Sequence, residues 1–80
     1  MKITILFFGV AQDMAGGRHM TLELKPGCTV GGLRYELARL FAGMDETLAY
    51  ALAVNEKLSI DNQVLVEGDV AAVLPPVSGG

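Results

Sequence analysis

The residues best suited to chemistry in this 80-residue sequence are its last six, Pro75-Pro76-Val77-Ser78-Gly79-Gly80. Pro75 and Pro76 donate no backbone hydrogen bonds and hold φ fixed, so they end a strand and stiffen the chain beyond it. Gly79 and Gly80 lack Cβ atoms and can thread where any side chain would collide. Six extended residues reach at most ~20 Å. A stiff stalk with a slender tip is shaped to enter another protein's active site, and the reactive group at that tip is the α-carboxylate of Gly80. Val77 is the one sizeable apolar anchor in residues 77–80. That is too little to offset the ~1–2 kcal/mol per residue that ordering a backbone costs. The expected organisation is a domain over 1–76 followed by a flexible Gly-Gly tail over 77–80, with the free chain a monomer. Glycines at a chain end are also found as merely frayed residues, so the weight of the functional reading rests on what carries the tail.

Other residues with chemical potential find no company. Cys28 follows Pro26-Gly27 and has no CxxC partner, so an ordinary packed or surface thiol is the expectation. His19 stands alone beside Arg18, without the further ligands a metal site needs. Gly16-Gly17 and Gly31-Gly32 lie outside any GxxxxGK[ST] pattern, so they read as turn and helix-entry geometry. No bound cofactor and no metal are expected, and the chain does not look able to bind ATP by itself.

The elements that must position the tail fit one domain at this length. A chain of this size buries roughly 60% of its unfolded surface, enough for a thin core between two layers. With 51% hydrophobic and 19% charged residues a disordered chain is not expected. Six Lys+Arg against nine Asp+Glu give a net charge of -3 with no basic cluster. A phosphate backbone needs a positive stripe, so nucleic acid is not an expected partner. No apolar stretch approaches the ~20 residues that span a bilayer. The N-terminus lacks a secretory pattern, and a single cysteine makes no internal disulfide. The expectation is a cytoplasmic protein without a membrane partner.

Ile3, Ile5 and Phe7 share one face of a strand over 2–8, and Leu6 and Phe8 make its second face apolar, which suits a central position. Residues 11–18 read as a wide loop with a Gly16-Gly17 turn. Met20, Leu22 and Leu24 then alternate with polar residues in a second strand ended by Pro26-Gly27. Thr29 is placed to cap a helix over 30–42, with Val30, Leu33, Leu37, Leu40 and Phe41 at helical spacing and Gly43 as its C-terminal cap. Strands over 49–54, around 58–60 and over 70–74 come next, separated by turns at Asn55-Glu56, Asp61-Asn62 and Glu67-Gly68-Asp69. This order predicts an α+β fold of the β-grasp (ubiquitin-like) type, a mixed four- to five-stranded sheet with one main helix packed across it.

Ala53-Val54-Asn55, Gly68-Asp69 and above all Leu74-Pro75-Pro76-Val77-Ser78-Gly79-Gly80 resemble the small subunits of molybdopterin synthase, the sulfur carriers of molybdenum-cofactor synthesis. Ile5-Leu6-Phe7-Phe8-Gly9 is similar to that family's first strand. The resemblance covers the whole chain, and the terminal heptapeptide is its specific part. Thiamine-pathway sulfur carriers also end in Gly-Gly but are usually shorter and lack the Pro-Pro-Val stalk. The resemblance implies a cycle at Gly80. Its carboxylate, ionised in the cell, is adenylated by an ATP-dependent activating enzyme. A sulfur donor protein then displaces AMP to leave a thiocarboxylate. Residues Pro75 to Gly79 carry that terminus into the large synthase subunit, in a heterotetramer of two small and two large subunits. There the sulfur passes to cyclic pyranopterin monophosphate, and two deliveries build the dithiolene. By the same resemblance the catalytic side chains belong to the partners, so the chain alone is not an enzyme. The sequence departs from the family at Gln12, where an arginine is common, and at Leu74, where a phenylalanine is.

One helix cannot cover both faces of a sheet, so an apolar patch near the tail is expected, with Phe7, Leu74 and Val77 contributing to the partner interface. Two other classes of function fit the same features: a protein modifier conjugated through Gly80 to lysines of other proteins, and an inert binding domain with a frayed tail.

Overall fold

The computed structural model describes residues 1–76. The expectations that concern Val77, Ser78, Gly79 and Gly80, including a flexible tail, lie outside the described residues. The elements run β1 (Lys2–Phe7), α1 (Val10–Ala15), β2 (His19–Glu23), α2 (Val30–Leu40), β3 (Ala51–Val54), β4 (Lys57–Leu58) and β5 (Val70–Leu74). They form one sheet in the order β2-β1-β5-β3-β4. β5 pairs parallel with β1 and antiparallel with β3, so the strand that leads into the stalk is the middle one. The other neighbours, β1 with β2 and β3 with β4, are antiparallel. This is the β-grasp arrangement that the element order predicts.

The period-2 alternation of the strands divides the sheet into two faces. Ile3, Ile5 and Phe7 of β1, Leu52 and Val54 of β3, and Ala71 and Val73 of β5 are buried in one cluster with Val30, Leu33 and Leu37 of α2. Each fully buried aliphatic side chain contributes about 1.5–3 kcal/mol, and the helix exists as a helix because this stripe is covered. Thr29 caps it, its Oγ1 accepting from the Gly32 amide at 3.2 Å. A Cβ at Gly32 would meet Cys28 Sγ at 2.8 Å. An alanine at this helix-weakening glycine would therefore oblige the Cys28 side chain to shift.

Several local expectations need correction. Residues 11–15, read as part of a loop, belong to α1, which is too short to display a period. Gly9 (φ 54, ψ -134) turns the chain into it, and Gly16 (φ 75) ends it, with the Gly16 amide donating to the Gln12 carbonyl. α2 stops at Leu40 because Phe41 turns to extended backbone (φ -129) and packs its ring edge-on against Phe7, with centroids 5.7 Å apart. Gly43 (φ 86) serves the turn beyond, and the cap is Phe41. β3 begins at Ala51 because Ala49 (φ 55) is left-handed, and β4 sits at Lys57–Leu58 with a two-residue turn before it.

A polar clasp ties that turn to the start of β5. Asp69, only 7% exposed, accepts from Asn55 Nδ2 at 2.9 Å and from the Val66 amide at 2.8 Å. Asn55 Oδ1 in turn accepts from the Val70 amide at 3.0 Å. A second tie links α2 to β3: Arg34 donates to Asp61 Oδ1 at 2.8 Å and to the Tyr50 carbonyl at 3.0 Å, and its guanidinium lies 4.9 Å from the Tyr50 ring centroid. Burial pushes the Tyr50 phenol above its ordinary value, and the nearby Arg34 charge offsets part of the rise. Among the described residues no helix is long and apolar enough to cross a membrane.

Both ties can be tested through stability. Asp69→Ala orphans the Val66 amide and the Asn55 side chain and should cost about 2–3 kcal/mol in urea unfolding; a loss under about 0.5 kcal/mol would show the clasp to be dispensable. The raised Tyr50 pKa means that the folded state holds the proton more tightly. That contribution is complete below the unfolded value near 10 and is lost as pH rises through the folded one. Stability between about pH 9 and 11 should therefore fall more steeply in the parent chain than in Tyr50→Phe, as read by thermal melts across that range.

Candidate functional site

Among the described residues, no element covers the face of the sheet away from α2. Strand pairing lays His19, Leu6, Ala72, Ala53 and Leu58 in one row across it, each opposite the next. Leu58, at the end of the row, is 76% exposed. Leu6, Phe8, Ala53, Val70, Ala72 and Leu74, with Asn55 and Glu56 at one end, line a shallow groove of about 560 Å³. Phe8 is 45% exposed there. Loose single apolar residues on a surface need no explanation, but a contiguous apolar surface marks an interaction site.

The groove leads into the stalk. Leu74 is half-buried at its margin and pairs with Ala51, and the next residue, Pro75, is also half-buried. The Pro75 ring lies over Gly9, where an added Cβ would stand 3.8 Å from Cγ. The turn that ends β1 thus seats the first stalk proline, and Pro76 is exposed beyond it. Two central strands, β1 and β5, fix the point at which the chain leaves the domain.

Of the expected interface residues, Leu74 lies at the groove, and Val77 is outside the described residues, as are Ser78, Gly79 and Gly80. Phe7 is a correction. It is 2% exposed and packs in the core, because it shares the inward face with Ile3 and Ile5. The aromatic residue on the open face is its neighbour Phe8. The alternation in Ile5-Leu6-Phe7-Phe8 carries that signal, since Leu6 and Phe8 make up the second face. Ala53, Val70 and Ala72 complete the groove without a signal of their own; their small side chains announce nothing until the strand register aligns them.

The groove is lined mainly by apolar side chains. Glu56 is the one ionisable side chain in its lining. His19 is exposed on the edge strand β2, and the Cys28 thiol is half-buried, donating to the Thr29 carbonyl at 3.5 Å. A larger groove of about 740 Å³ lies between α2 and residues 45–50, but its arginine, Arg34, is held by Asp61 and Tyr50. In it the Asp45 carboxyl is kept below its ordinary value by hydrogen bonds from Thr47.

Comparison with known proteins bears on the family and the fold. The model of the ThiS family matches residues 5–80. A molybdopterin synthase sulfur carrier subunit of Arabidopsis thaliana is 31% identical over 81 residues, covering 100% of this chain and 84% of the relative. Among solved structures, a complex of subunits 1 and 2 of the molybdopterin-converting factor from Helicobacter pylori contains a chain that is 30% identical with a TM-score of 0.71, each chain covered in full. A ubiquitin from Caldiarchaeum subterraneum, 24% identical, covers 100% of this chain and 98% of that one with a TM-score of 0.67, and shows the shared ubiquitin-like fold. The chain belongs to the ThiS family, among relatives named molybdopterin synthase sulfur carrier subunit.

Proposed function

We propose that this chain is the sulfur carrier subunit of molybdopterin synthase, acting in the cytoplasm as a donor and not as an enzyme on its own. The observation that carries the reading is the open apolar groove, which ends at Leu74 where the Pro75-Pro76 stalk begins. A large subunit lying over that groove receives the residues beyond it, which reach at most ~20 Å when extended. The subunit 1 and 2 complex from Helicobacter pylori, with a chain 30% identical to this one, supports such a partner. In this proposal two small and two large subunits form the working heterotetramer.

The chemistry proposed for Gly80 starts from what a carboxylate lacks. It is a poor electrophile, ionised at neutral pH. Attack of its oxygen on the α-phosphate of ATP in an activating enzyme releases pyrophosphate and makes AMP the leaving group. Sulfur at the sulfide level, supplied by a donor protein, attacks the acyl carbon; the C–S bond forms as the C–O bond to AMP breaks, leaving Gly80 as a thiocarboxylate. In the large subunit that sulfur passes to cyclic pyranopterin monophosphate, and the tail returns to a carboxylate. Acid, base and phosphate-binding groups are supplied by the partners. The roles of this chain are to dock and to present one reacting atom through a slender tip.

Two variants separate docking from delivery. Leu74→Asp places a charge in the apolar groove and should weaken assembly with the large subunit at least about tenfold, roughly 1.4 kcal/mol, as measured by titration calorimetry. Because Leu74 is only half-buried, the chain should still melt cooperatively. Gly80→Ala should bind the large subunit as the parent chain does, yet fail in sulfur loading or transfer, since a Cβ now sits beside the reacting carbon. Full sulfur transfer by Gly80→Ala, or unchanged assembly of Leu74→Asp, would count against the proposal.

A further inference from the structure

Glu56 is the second residue of the two-residue turn between β3 and β4, and it adopts φ 71. Such turns need positive φ at both positions, which asparagine tolerates and for which glycine, not glutamate, is the usual second residue. Asn55 (φ 51) is already engaged with Asp69 and Val70. Glu56 has no such local use: among the described residues it makes no ion pair and accepts no hydrogen bond. It instead lines the apolar groove, as the only ionisable residue there among the described residues. A strained residue held at a functional surface is grounds for asking what the strain secures.

We infer that Glu56 selects the partner of the open face, by pairing with a lysine or arginine that the partner presents at the rim of the groove. The inference rests on reading that face as the docking surface for the large subunit. A partner that covers Leu6, Phe8 and Leu74 also excludes water from the end of the groove where Glu56 sits. A carboxylate desolvated without a counter-charge is strongly unfavourable, so a partner without a cation at that point is rejected. The net charge of -3 on this chain favours a basic partner surface in the same sense.

The test is association of the full chain with the large subunit from the same organism, monitored by stopped flow at several salt concentrations, together with melting curves. Glu56→Gln keeps the size and the backbone conformation but removes the charge. It should leave the melting temperature within about 2 °C while lowering the association rate about threefold and flattening its salt dependence. Glu56→Lys should lower the rate about tenfold or more. Glu56→Gly relieves the backbone and should raise the melting temperature by about 4 °C, yet associate as poorly as Glu56→Gln. If the three variants associate like the parent while Leu74→Asp does not, Glu56 is an ordinary surface charge and the inference falls with the docking face intact. If Leu74→Asp also associates normally, the reading of the face fails and the inference with it.

Discussion

A chain of this size has enough apolar surface to close one side of a five-stranded sheet, and α2 closes the side that carries Ile3, Ile5, Phe7, Leu52 and Val73. Among the described residues, the other side leaves Leu6, Phe8, Ala72 and Leu74 partly or largely in contact with water. An isolated protein gains nothing from such a surface, and a subunit gains a great deal. The same single-helix architecture makes β5 the middle strand, paired on both sides, so the stalk leaves from the most firmly held strand of the sheet and beside the uncovered face.

The result is a division of labour. Buried side chains hold the sheet, the Asn55–Asp69 clasp and the Arg34 tie fasten its loops, and Gly9 seats Pro75 where the chain departs. None of these groups is placed to act as acid, base or nucleophile. The proposed carrier role is served by that arrangement, in which a rigid surface lies beside the point where the chain leaves the sheet. The positive φ at Glu56 and the open apolar groove both carry a cost, and both lie on the surface offered to a partner.

Much of this is legible in the residues. Alternation in Ile3-Thr4-Ile5, the apolar run from Val70 to Leu74, the helical spacing from Val30 to Leu37 and the Thr29 cap lead to the right order of elements. Pro75-Pro76 marks where the last strand ends. The features that escape are contingent on register or on short range. α1 has too few residues to show a period. Leu40 ends α2 because Phe41 is drawn to Phe7, a contact between residues 34 apart in sequence. Phe7, expected in the apolar patch, instead follows its own alternation with Ile3 and Ile5 into the core. The small residues Ala53 and Ala72 become part of a surface only once strand pairing sets them side by side.

The central claim is that the Gly80 carboxylate becomes a thiocarboxylate, and intact mass spectrometry of the chain reads that atom directly. Incubated with its activating enzyme, ATP and a sulfur donor, the chain should gain the mass difference of one oxygen replaced by one sulfur, and lose it again when the large subunit and cyclic pyranopterin monophosphate are added. A chain that keeps its original mass under those conditions, or that is recovered only as isopeptide-linked conjugates to other proteins, would contradict that claim.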